Sequence, residues 1–136
     1  VAEYELDLFN AKAVGSLYKE LNIEPFAKNP ASAAAVELFD ENGDIVSVHY
    51  HGGPYFELNE AENVEILARY NLEGFKPAVV LQQYGKGKVI LSGVHYEDRG
   101  EVLAKTSAFY ETAKTLMKNE TERQVFFNRL MKLSGR

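Results

Sequence analysis

Val89-Ile90-Leu91-Ser92-Gly93-Val94-His95-Tyr96-Glu97 is the stretch on which the fold turns. An apolar, β-branched run with buried-strand character reaches a glycine and then presents a histidine and a carboxylate two positions apart. This is how an acid–base pair is delivered to the carboxyl end of a sheet. A histidine oriented by a carboxylate supplies two members of a nucleophilic triad. The third is missing, because the chain contains no cysteine. There is no Gly-x-Ser-x-Gly elbow, and Ser92 falls inside the strand, where a nucleophile is badly placed.

Strand patterns continue upstream. Tyr4 to Phe9 alternates apolar and acidic residues. Ala34 to Phe39 and Ile45 to Tyr50 flank Glu41-Asn42-Gly43-Asp44, where Asn-Gly predicts a type I′ hairpin turn. Val64 to Tyr70 alternates with Val64, Ile66, Ala68 and Tyr70 on one face. Ala78 to Gln83 and Val89 to Ser92 flank Gly85-Lys86-Gly87-Lys88, a second tight hairpin. Ala13 to Leu21 reads as a short helix, stopped by Glu24-Pro25 and Asn29-Pro30. After Gly100 the period becomes helical. Val102, Leu103, Phe109, Ala113, Leu116 and Met117 share a face over Glu101 to Lys118. Asn119 with Glu122 predicts a capping box opening a second helix that carries Val125, Phe126, Leu130 and Leu133.

These elements predict an α/β protein of one domain over 1–136, strand-rich in 1–98 and helical in 101–133, with helices covering a sheet. The 136 residues, 46% of them hydrophobic, suffice for one core. A net charge of −5 argues against nucleic-acid binding. No apolar run approaches the ~20 residues of a membrane span. Without cysteine, disulfides and thiol catalysis within these residues are excluded. With no secretory leader pattern, a cytoplasmic location is expected, and no cofactor is implied. The chain enters its first strand pattern within a few residues of Val1, which predicts a segment of a longer polypeptide.

Three groups of residues bear chemistry. Glu97 is placed to fix the tautomer of His95, leaving the other ring nitrogen for a substrate. The plainer alternative is an exposed loop that Asp98 and Arg99 continue. His49-Tyr50-His51-Gly52-Gly53-Pro54-Tyr55-Phe56 forces a sharp turn after a strand and leaves backbone amides for a ligand. His51, Gly52, Gly53 and Tyr55 are therefore candidate ligand-binding residues, with an edge-packing aromatic turn as the alternative. His49, His51 and His95 form a further candidate set, for a metal-dependent hydrolase, although local spacing fixes no third ligand. Gly85-Lys86-Gly87-Lys88 opens no helix and reads as a turn, not a phosphate loop.

Several segments, in order, resemble the N-terminal domain of eukaryotic-type biotin-protein ligases, a glutamine-amidotransferase-like module. They are Glu5-Leu6-Asp7-Leu8-Phe9 with Gly15, Val48 to Phe56, Leu67-Ala68-Arg69-Tyr70, and Tyr84 through Glu97 with its Ser-Gly-Val-His-Tyr-Glu ending. The resemblance covers about residues 4 to 98. It implies the C-terminal part of a flavodoxin-like fold, with His95 as catalytic base and Glu97 as its orienting acid, serving a cysteine on an absent upstream elbow. Three positions depart from the family pattern. His51 replaces an asparagine, and Val94 and Tyr96 replace the prolines that would stiffen the histidine loop. Three functions follow as expectations. One is an amidotransferase-like hydrolase incomplete in this chain; the others are a non-catalytic regulatory module binding a small amide or carboxylate, and the metal hydrolase. The expected partners are the upstream half-domain or a second copy of the chain.

Overall fold

The structure is a computed structural model that describes residues 11–25, 28–29, 32–58 and 63–135. The strand expected at Tyr4 to Phe9 lies outside the described residues. Strands β2 (Ala34–Asp40), β3 (Ile45–Tyr50), β5 (Val64–Tyr70), β6 (Pro77–Tyr84) and β7 (Gly87–Ser92) form one sheet in the order β3-β2-β5-β6-β7. Its pairings are all antiparallel. Strands β1 (Ala11–Val14) and β4 (Tyr55–Leu58) make a separate antiparallel ribbon, with β4 lying against β6. Helix α1 (Gly100–Leu103) and a 3-10 turn (Ser107–Phe109) lead to α2 (Tyr110–Lys118) and α3 (Glu120–Leu133). Helix α2 packs on β2 and β3, and α3 on β3. The molecule is thus α/β, strand-rich first and helical at its C-terminal end.

Strand β3 is covered on both faces, and every residue from Val46 to Tyr50 is buried. Val46, Val48 and Tyr50 join Leu38, Leu67, Tyr70, Val79, Phe126 and Leu130 in the core. The segment after β7 then crosses back to the opposite edge. Gly93 N donates to Ala78 O (2.9 Å), and His95 N donates to His49 O (2.8 Å) in an isolated antiparallel bridge. Because β3 and β7 are opposite edges, this bridge requires the sheet to curl at that end. The curl gathers the chemical groups.

Local details depart from the sequence expectations for identifiable reasons. The first hairpin is not type I′: Gly43 has φ +81°, but Asn42 does not have positive φ. Gly43 N donates to Asp40 O and Asp40 N to Asp44 O, the pattern of a type I turn closed by a left-handed glycine. Asp40 selects it, since its Oδ1 accepts from Asn42 N and Asp44 N and its Oδ2 takes Arg129 of α3. The second hairpin has the two-residue loop Gly85-Lys86, with positive φ at Gly85 alone, as a type II′ turn requires. A bulge at Leu67 breaks the alternation of β5, so Leu67 and Ala68 are both buried.

Ala13 to Leu21 is not a helix. Ala11–Val14 is the strand β1, held by β4, and only one turn follows, closed by Leu21 N to Leu17 O. The capping box at Asn119 does not form either, because its side chain donates back to Thr115 O at the end of α2. The helical region is broken at Thr106, and Val102, Met117 and Val125, each expected on the apolar face of its helix, are exposed.

Candidate active site

The bridge between His49 and His95 brings two histidine–carboxylate pairs together. His49 Nδ1 lies 2.6 Å from Asp98 Oδ2, with the imidazole almost fully buried. His95 Nδ1 lies 3.1 Å from Glu97 Oε1, with both side chains half exposed. The His49 ring centroid is 5.3 Å from that of His95 and 5.7 Å from that of His51. Phe109, from the 3-10 turn, closes over His49 at 6.0 Å and His51 at 5.8 Å. His95 and Glu97 are thus in contact, and His51 stands beside His49 and Phe109.

The glycine turn is packed from several sides. A side-chain carbon on Gly53 would collide with Gly93 O, and one on Gly93 with Pro54 O and the Tyr70 hydroxyl. Tyr50 Oη donates to Gly53 O and Tyr70 Oη to Pro54 O, both at 2.9 Å, while Tyr50 Oη accepts from Leu17 N. Burial pushes the hydroxyls of Tyr50 and Tyr70 up from their ordinary pKa, so both stay protonated as donors. These glycines thus allow two backbones to touch and set the His95 loop against the end of β3. Tyr55 sits away from the histidines, in β4, with Lys76 Nζ 3.9 Å above its ring.

Two groups escape a linear reading of the sequence. Asp98 is an exposed turn residue by sequence, yet it is the partner of a buried histidine 49 positions away. Arg123 is fully buried, with Nη1 donating to Tyr96 O (2.8 Å), Nε to Glu120 Oε2 (2.8 Å) and Nη2 to Glu120 Oε1 (2.5 Å). The bidentate pair lowers the Glu120 carboxyl and raises the guanidinium, chiefly through these hydrogen bonds. No spacing rule marks Asp98, for which the available signal is a polar Ser47/His49 register opposite Val46, Val48 and Tyr50. Glu120 and Arg123 stand at the i,i+3 spacing of a helical ion pair, which does not announce the burial of the guanidinium or its bond to Tyr96 O.

Burial pushes the His49 imidazole below the usual histidine pKa. Asp98 opposes this through its hydrogen bond and charge, and His95 and His51 add to the lowering. With Nδ1–H given to Asp98, a second proton would sit on Nε2, which is buried and has no partner among the described residues. The unfolded chain therefore takes up this proton at a higher pH than the folded one. The stability that neutral His49 contributes is present above the ordinary value of 6.5 and lost as pH falls through the lowered folded value. Urea unfolding across mild acid should show less acid loss in His49→Asn than in the parent; an equal loss would assign the effect elsewhere.

A metal finds no coordinating arrangement here. Among the described residues no three His, Cys, Asp or Glu side chains are placed to hold an ion. The His49 ring is inclined 33° to His51 and 32° to His95, and its Nδ1 is committed to Asp98. Among the described residues no helix is long and apolar enough to cross a membrane.

A curled antiparallel sheet backed by helices, with a histidine–carboxylate pair on the loop leaving its last strand, makes this an α/β domain. The family model described as "Biotin-protein ligase, N terminal" matches residues 1–135, and the chain belongs to that family. It is 26% identical over 106 residues to a biotin–protein ligase of Schizosaccharomyces pombe, a match covering 74% of this chain and 16% of that protein. The chain therefore spans only a small part of the length of that relative. No solved structure matches it.

Proposed function

We propose that the chain supplies the acid–base side of a glutamine-amidotransferase-like domain, with His95 as base and Glu97 as its orienting acid. The observation that carries this is the 3.1 Å contact of His95 Nδ1 with Glu97 Oε1 on a half-exposed ring at the end of the sheet. The nucleophile is a cysteine thiolate from outside these 136 residues, contributed by an upstream half-domain. It attacks an amide carbonyl, His95 passes a proton to the departing ammonia, and water or an acceptor amine releases the acyl group. The described strands pair antiparallel throughout, so the parallel sheet expected of a flavodoxin-like fold is not found among the described residues. The ligase activity named for the relative is not assigned to this chain, which matches a small fraction of it.

A second reading is a regulatory module that binds a small amide or carboxylate. It is favoured by an open depression of about 410 Å³ lined by Ser92, Val94, His95, Tyr96, Glu97, Phe127 and Met131. Its lining combines the polar Ser92, His95 and Glu97 with the apolar Val94, Phe127 and Met131, the mixture that small-molecule sites use.

The longest polypeptide specified by the coding sequence separates these readings. Assayed with glutamine and simple amides, it should release ammonia, and His95→Ala should lower turnover by about 100-fold or more. Turnover that survives this substitution overturns the role of His95. If ammonia release is absent but these ligands perturb the NMR signals of His95 and Phe127, the regulatory reading replaces the catalytic one.

A further inference from the structure

We infer that His49 is a positioning residue for the His95–Glu97 pair, clamping the histidine loop at both of its ends; this rests on the catalytic reading above. The loop carries Val94 and Tyr96 around the histidine and no proline, so its backbone is free to sample more conformations unless something else restrains it. One residue restrains both ends of the span 95–98. The His49 carbonyl accepts from His95 N at 2.8 Å, and the His49 ring meets the Asp98 carboxylate at 2.6 Å. His49 is itself fixed by pairing with Ala35 in β2, so the clamp is anchored in the sheet. Between the two ends, Arg123 Nη1 holds Tyr96 O, and Tyr96 packs edge-on against Phe126 with centroids 6.1 Å apart. At the entry, Ser92 Oγ accepts from Val94 N and donates to Val94 O. The backbone half of the clamp cannot be removed by substitution, but the imidazole half can.

Clamping the loop holds Glu97 against His95 Nδ1, and the tautomer of His95 reports that contact. A carboxylate at Nδ1 keeps the proton there and frees Nε2 as the base. Imidazole ¹⁵N spectra of the chain at alkaline pH read the tautomer directly. The parent should show His95 with its proton mainly on Nδ1. Glu97→Ala should move the proton towards Nε2. His49→Leu, which fills the site but offers Asp98 no donor, should move it the same way. His49→Asn, whose amide can take the place of Nδ1–H, should restore the parent spectrum. Asp98→Asn, as a second route, should act like His49→Leu if that variant folds poorly.

A His95 tautomer unchanged by both His49→Leu and Asp98→Asn overturns the positioning role. An unchanged tautomer in Glu97→Ala overturns the underlying assignment of Glu97 instead, so the two failures are distinguishable. A shift in His49→Asn equal to that in His49→Leu would assign the effect to packing and also overturn the clamp.

Discussion

Gly93→Ala is expected to destabilise the chain by about 4 kcal/mol or more and to lower its melting temperature by on the order of 10 °C. The added carbon would meet Pro54 O and the Tyr70 hydroxyl, neither of which can move cheaply. Pro54 follows the Gly52-Gly53 turn, and the Tyr50 and Tyr70 hydroxyls bind the carbonyls of Gly53 and Pro54 from the core. Tyr70 is itself 1% exposed, so its ring has no space to retreat into. Relief must come from parting the two backbones, which breaks the hydrogen bonds from Gly93 N to Ala78 O and from His95 N to His49 O. With total stability in the range of about 5–15 kcal/mol, such a loss is a large part of the whole. Gly43→Ala provides the control. Gly43 has φ +81° but open space around it, so it should cost only about 1 kcal/mol of backbone strain. Thermal unfolding followed by circular dichroism would measure both, and comparable losses would mean that strain alone, not the glycine contact, sets the cost.

That contact also shows what a linear reading can and cannot reach. Adjacent glycines before Pro54 announce a sharp turn, but not that Gly93, forty positions away in sequence, needs the same absence of a side chain. The strands β2, β3, β5, β6 and β7 were legible because alternation and turn residues act locally, whereas β4 falls where the sequence reads as an aromatic turn. The hairpin type was less so, because the Asp40 carboxylate competes for the turn amides and selects a type I turn over the type I′ that Asn-Gly alone favours. Strand β1 was illegible: Ala-Lys-Ala-Val has weak strand character and is extended only because Tyr55–Leu58 lies beside it.

The site divides in the same way. His95 and Glu97 are two residues apart, so their meeting could be read from spacing. His49 and Asp98 meet only because the sheet curls, and nothing within a few residues of either announces it. Family membership, carried by residues 1–135, agrees with the ordered segments Val48–Phe56, Leu67–Tyr70 and Tyr84–Glu97. Those segments include the turn and the loop that touch at Gly53 and Gly93. At Val94 and Tyr96 the histidine loop is restrained by Ser92 Oγ and by Arg123.

Removing Glu120 should harm the protein more than removing the arginine it pairs with. Arg123 is 1% exposed, whereas the Glu120 side chain is 38% exposed. Glu120→Ala leaves the guanidinium buried, with only Tyr96 O and Gln124 Oε1 to receive its donors. Stranding a buried charge in this way costs about 3 kcal/mol. Arg123→Met replaces the arginine with an apolar chain of similar length, and Glu120 turns to water. What is lost is then mainly the hydrogen bond to Tyr96 O, about 1–2 kcal/mol. The double variant should lie near Arg123→Met alone, because without the arginine Glu120 has nothing to neutralise. Urea unfolding at neutral pH gives the order. Acid should reproduce part of the Glu120→Ala effect in the parent: the Glu120 carboxyl is held below its ordinary value, so its contribution is present above that value and lost as pH falls through the lowered folded one. If Arg123→Met proves the more damaging, the guanidinium's bond to the histidine loop outweighs its charge balance, and α3 holds that loop chiefly through Tyr96 O.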